Sequence, residues 1–175
     1  MISKTYKIDP KHSQLHFEFD HLGGVSVLTA RMTGFSGALK VDAGIDSRQQ
    51  LLSFNVSIDA LSISSALVTF DPLLKSAAMF AIDSFPVISL SVHPFTASGS
   101  NTNCRLMMRK IEKSCTFQLW SARNAVNRRG FNIVGIRGSI DVSCSAFGMT
   151  GTPSLGDTVR LAVNIEATDE PFNEV

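Results

Sequence analysis

Apolar side chains recur at every second position through most of this 175-residue chain, and no other feature narrows the fold as much. Leu15, Phe17 and Phe19 share one face of an extended segment, with Glu18 and Asp20 on the other. Phe35-Gly37-Leu39-Val41, Leu52-Phe54-Val56-Ile58, Ile88-Leu90-Val92, Cys115-Phe117-Leu119 and Val159-Leu161-Val163-Ile165 repeat that arrangement against polar partners. Successive side chains of a pleated strand point to opposite faces, so each run reads as a strand with one dry face. Residues 105–110 and 131–143 alternate less cleanly, yet are rich enough in apolar and β-branched residues to join the sheet. Turn chemistry separates the runs at Ala43-Gly44-Ile45-Asp46, Ser98-Gly99-Ser100-Asn101, Asn127-Arg128-Arg129-Gly130 and Gly151-Thr152-Pro153-Ser154. Strands at this density describe an all-β meander that closes as a barrel or stacks as a two-sheet sandwich.

One segment departs from the pattern. Asp71-Pro72 reads as an N-cap followed by proline at the first helical position. Leu73, Leu74, Ala77, Ala78 and Ala81 then recur at helical spacing, and Phe85-Pro86 ends the run. The expectation is a short amphipathic helix between strands, serving as a lid or plug at one barrel end. No repeat or low-complexity tract divides the chain, so residues 1–175 read as one domain.

Charged residues make up 18%, and sixteen Lys+Arg against fifteen Asp+Glu leave a net charge of +1. That balance excludes a globally basic nucleic-acid binder. Twelve Phe accompany one Trp and one Tyr. Phenylalanine carries no polar handle, so these rings suit dry surroundings. No run approaches the ~18 consecutive apolar residues of a membrane span, so stable membrane insertion is not expected. Cys104, Cys115 and Cys144 contain no CxxC pair and imply no disulfide framework. The start, Met1 to Tyr6, shows no apolar signal-peptide core. As it stands the chain reads as cytoplasmic, and as periplasmic if a leader has been removed.

The imidazoles are His12, His16, His21 and His93. His12 and His16 would share a face of a straight strand, but zinc takes three or four ligands, and no Cys or carboxylate is obviously spaced to complete the set. The expectation is therefore no metal and no cofactor, with His12-Ser13 hydrogen-bonded at the barrel base. His21 ends its strand, where it makes a structural hydrogen bond or meets a polar head group at the mouth. Cys115 and Cys144 read as core thiols. Arg123, Arg128 and Arg129 cluster near Trp120, as a solvated loop or as a patch for anions or a membrane surface.

The N-terminal run Tyr6-Lys7-Ile8-Asp9-Pro10-Lys11-His12-Ser13, followed by Phe17 and His21, resembles the opening of the YceI-like family of bacterial lipid-binding proteins. Gly34-Phe35-x-Gly37, Leu74-Lys75-Ser76 before Phe80, Phe85-Pro86-Val87-Ile88, Ala146-Phe147-Gly148-Met149 and Leu155-Gly156-Asp157-Thr158-Val159-Arg160-Leu161 follow in order, so the likeness runs from residue 6 to about 167. It implies an eight-stranded antiparallel lipocalin-like β-barrel holding a polyisoprenoid or isoprenoid quinone. Where related proteins tend to carry an Arg and an acid in an Arg-Ser-Asp-Phe-Gly stretch, this chain has Cys144-Ser145-Ala146-Phe147-Gly148. Both charges are absent together, which strands neither.

On that reading the isoprenoid tail lies among Phe17, Phe19, Phe35, Phe54, Val56, Leu74, Phe80, Ile88, Leu90, Phe117, Leu119 and Phe147, with His21 as the candidate for the head group. The expected function is carriage, storage or sensing of the lipid without covalent chemistry, and with no catalytic residue. Two other readings compete with it. One is an enzyme on a similar apolar substrate using His21 or Cys144. The other is a filled barrel acting as an interaction module. A homodimer stays open, because the edge and loop residues decide nothing about pairing.

Overall fold

The computed structural model describes residues 2–43 and 50–171, so the turn read at Gly44-Ile45-Asp46 lies outside the described residues. The strands are β1 (Ile2–Ile8), β2 (Gln14–His21), β3 (Ser26–Met32), β4 (Phe35–Ala43), β5 (Gln50–Asp59), β6 (Ile63–Ser64), β7 (Val87–Thr96), β8 (Asn101–Met108), β9 (Ile111–Val126), β10 (Asn132–Ser143) and β11 (Leu155–Thr168). A single short α-helix, α1 (Asp71–Lys75), falls between β6 and β7 among the described residues. Eight strands form a ring in the order β1-β4-β5-β7-β8-β9-β10-β11, and every neighbouring pair is antiparallel. Lys7 opposite Thr168 and Ile8 opposite Ala167 close it. The alternation thus resolves to a barrel, as expected, rather than to a sandwich.

β11 carries more than its place in the ring. One edge pairs with β10 along its length, and the other is shared by β1 and β2 in tandem. β3 extends the sheet from β2, and β6 covers the end of β3 at Arg31 and Met32. The β1–β2 turn is stitched to β11 as well: Asp9 N–H donates to the Glu166 carbonyl at 2.8 Å, and Glu166 N–H donates to the Ser13 hydroxyl at 2.9 Å.

Inward-facing residues fill the barrel. Phe17, Phe19, Leu39, Phe117, Ile136, Ile140 and Leu161 are fully buried. Gly138 sits at a β-bulge against β9, where any Cβ would overlap the Phe117 ring and the Gln118 carbonyl. Its missing side chain is what lets that ring lie against the wall.

The segment between β6 and β7 plugs one end, but its helix is shorter than the apolar stripe predicts. The residue at the N-cap is Phe70, and Asp71 is already in the first turn. The Asp71 carboxylate instead accepts from the Ser64 hydroxyl and the Ser65 amide, each at 2.6 Å, and so ties down the preceding loop. At Ser76 both the amide and the hydroxyl donate to the Leu73 carbonyl (3.0 and 2.7 Å), which stops the helix there. Beyond that point the backbone has tertiary partners. Thr150 and Gly151 amides donate to the Ala78 carbonyl at 2.9 and 3.1 Å. The Arg109 guanidinium donates to the Ala77 and Met79 carbonyls at 2.7 and 2.6 Å. Carbonyls committed to these partners are not free to build a helical ladder, so Ala77 and Ala78 lie in turns, and Ala81 takes a left-handed conformation with φ 46°.

Candidate functional site

The two barrel ends differ. At one, His21, Ser26, Asp59, Val87 and Leu155 end or begin their strands, and the plug and the 144–154 segment cover the opening. The other end is open. There β1, β4, β5, β9 and β10 surround a cavity of about 300 Å³, lined by Tyr6, Val41, Leu52, Ala122, Val126 and Val134 among others. By strand alternation the next inward layer below Val41, Leu52 and Val134 is Leu39, Phe54 and Ile136, all buried. The mouth cavity therefore has an apolar floor.

Its rim is polar. Lys4 pairs with the Asp169 carboxylate, which also accepts from the Asn132 amide nitrogens at 2.8 and 2.7 Å. The Lys4 and Asn132 hydrogen bonds hold the Asp169 carboxyl down to about 2. The Lys4 ammonium stands 5.2 Å from the centre of the Tyr6 ring. Gln50, Asn124 and Asn132 add amide groups to the lining.

The aromatic residues expected around a tail fall into two clusters. On the plug side Phe17 meets Phe80 at 5.0 Å between ring centres and Phe19 at 6.2 Å, and Phe70 joins them through Phe19. On the mouth side Phe54, Phe117 and Phe95 form a second set, with 5.4 Å between the first two. Val56, Ile88 and Leu90 are buried on the inward faces of β5 and β7, and Leu74 is buried in the plug. Phe147 is buried in a 3-10 turn, Ser145–Phe147, at the plugged end. Two expected residues stand apart: Phe35 and Leu119 are only partly buried, and Phe35 lines a shallow groove with Gly34, Ile58 and Val87.

His21 sits at the plugged end, not at the open mouth. β2 runs toward the plug, and the His21 Nδ1 lies 3.2 Å from the Ser26 hydroxyl across the β2–β3 hairpin. Cys144 is buried, and burial pushes its thiol up to about 11. Neither residue lines the mouth cavity. His12 and His16 also part company. The His12 Nδ1 is 2.7 Å from Asp9 and 3.8 Å from Glu166, whereas His16 pairs with Glu18 at 3.0 Å. Asp9 and Glu166 thus supply the carboxylates that spacing alone does not reveal, and with the His12 ring nitrogen their ligand atoms lie within 4.8 Å of one another. His12 and Asp9 are hydrogen-bonded at 2.7 Å, and Glu166 joins them at ion-pair distance.

The mouth-lining residues Tyr6, Val41, Ala122, Val126 and Val134 are absent from the expected set. Val41 and Leu52 show in the sequence only as the outer repeats of the β4 and β5 alternation. Phe95 is hidden because a β-bulge between Leu52 and Phe54 shifts the register of β7.

An antiparallel barrel plugged at one end and open at the other over a cavity with a mixed lining and an apolar floor defines a lipocalin-like class of fold. More narrowly, the chain belongs to the YceI-like domain family, whose pattern matches residues 6–167. Among solved structures it is similar to BcnA of Burkholderia cenocepacia, with 15% identity and a TM-score of 0.71, covering 91% of this chain and 99% of that one. It is also similar to the YceI protein of Campylobacter jejuni, with 16% identity and a TM-score of 0.67, covering 84% of this chain and 88% of that one. At such identities the likeness speaks for the fold. No curated protein sequence matches the chain.

Proposed function

We propose that this protein binds a long-chain isoprenoid lipid, a polyisoprenoid or an isoprenoid quinone, with its tail in the barrel and its head at the open mouth. The observation that carries the reading is the cavity at the unplugged end, polar at its rim and apolar at its floor, set above the Phe54–Phe95–Phe117 cluster. Ligand sites commonly span ~300–1,000 Å³, so the cavity of about 300 Å³ suits the outer part of such a chain. Deeper seating asks the mouth-side rings to turn aside, and their contacts are replaceable by dispersion contacts with a prenyl chain. At ~0.8 kcal/mol per buried CH₂, a tail of several isoprene units binds tightly without a polar contact.

The role is binding without covalent chemistry. The Cys144 thiol is held protonated by burial and lies away from the mouth, which argues against it as a nucleophile. The three unpaired thiols fit a reducing compartment, and we place the protein in the cytoplasm. Native mass spectrometry and organic extraction of the purified protein test the proposal. A prenyl lipid should co-purify, or bind when added at one equivalent. Protein that yields no extractable lipid and takes up none of a series of prenyl alcohols and quinones would sink it.

A further inference from the structure

The hairpin that walls the mouth is also the most basic stretch of the chain. From Ser121 to Arg137 there are four arginines (Arg123, Arg128, Arg129 and Arg137) and no acidic residue, in a protein whose net charge is only +1. Arg129 is neutralised by Glu170 at 2.6 Å. Arg123, Arg128 and Arg137 are exposed and make no ion pair among the described residues. Apolar groups stand beside them: Val126 is 64% exposed, and Trp120, the chain's one tryptophan, is 53% exposed. Trp120 is the extra residue of the β9 bulge, since Ser121 pairs with Arg137 and Leu119 with Gly138. Arg123 and Val126 line the mouth cavity itself.

We infer that the protein docks on an anionic lipid bilayer through the outer face of the β9–β10 hairpin, which leads to the mouth. Guanidinium groups meet the headgroup phosphates, while Val126 and Trp120 enter the interfacial layer. This inference rests on the lipid-binding proposal, because a carrier of an insoluble chain must exchange it where that chain dissolves. Three features of the hairpin agree on this partner. Its unpaired cations complement an anionic surface. An exposed indole, as Trp120 presents, is a side chain that settles at headgroup depth. Two members of the patch, Arg123 and Val126, also line the opening through which a tail would pass. A scattered solvated loop would show the charges but not the adjoining apolar pair and cavity.

Vesicle flotation tests the docking, using phosphatidylcholine alone and phosphatidylcholine with 30% phosphatidylglycerol as probes (a composition of about that order places the surface tens of millivolts negative). Wild-type protein should float with the anionic vesicles only, with release by salt and a blue shift of Trp120 emission. The double variant Arg128→Glu, Arg137→Glu should lose binding by more than about fivefold per charge site, while its uptake of a prenyl lipid in solution stays at the wild-type level. Equal flotation on neutral vesicles, undiminished flotation of the double variant, or binding without a Trp120 shift overturns the inference. Docking that persists in a protein that takes up no prenyl lipid keeps the surface and removes the carrier reading instead.

Discussion

His12 sits outside the barrel wall, with its Nδ1 2.7 Å from the Asp9 carboxylate and 3.8 Å from that of Glu166. The hydrogen bond to Asp9, then the charges of Asp9 and Glu166, raise its pKa above the ordinary 6.5. For Asp9, burial pushes upward, but hydrogen bonds from His12 and the Lys11 amide outweigh it and leave the carboxyl below 3.8. A histidine whose pKa is raised on folding stabilises the fold fully below the unfolded value and loses that contribution as pH rises through the folded one. The melting temperature of wild type should therefore exceed that of His12→Gln below pH 6.5, and the gap should close above it. A gap that widens with rising pH would contradict the pairing. Asp9→Asn should bring the His12 titration, followed by NMR, back toward its ordinary value.

At the scale of elements, the plug is the part most open to test. Phe80 is buried against Phe17 and Phe19, and the turn around it hangs on the Thr150, Gly151 and Arg109 hydrogen bonds. Phe80→Ala should cost about 3–5 kcal/mol in denaturant unfolding, the range for deleting a buried ring. Arg109→Met should cost less, and show first as faster amide exchange at residues 78–82. An unchanged unfolding midpoint for Phe80→Ala would mean the plug is not part of the core. These elements also mark what the sequence discloses. β4, β5, β7 and the second half of β11 read plainly, since their inner faces are unbroken. β1 does not, because the period that buries Tyr6 and Ile8 passes through Lys4, which reaches out to Asp169. β3 is masked by an exposed Val27 beside a half-buried Leu28. The site is legible only in part, because inward faces are visible in the sequence but the direction of each strand is not. That direction places His21 at the plug and Val134 at the mouth.

For the molecule as a whole, the barrel has one closed end and one open end, so the proposed lipid would approach through the mouth. Ala122 lies on the inner wall of the mouth cavity and is only partly buried. Ala122→Trp should fill that space and weaken prenyl-lipid binding by about tenfold or more, the equivalent of some two CH₂ groups left unburied. Fluorescence titration with a prenyl quinone measures it, and unaltered affinity would move the approach elsewhere. The wall itself carries a consequence in time. β11 is the last strand among the described residues, yet β1, β2 and β10 all lean on it, and Ser13 meets Glu166 across 153 residues. A nascent chain leaving the ribosome thus holds β1 and β2 unpartnered along that seam until residues 155–168 have been made. Contacts so distant in sequence form slowly, so the half-built cylinder, its phenylalanines still uncovered, is the species most in need of a chaperone.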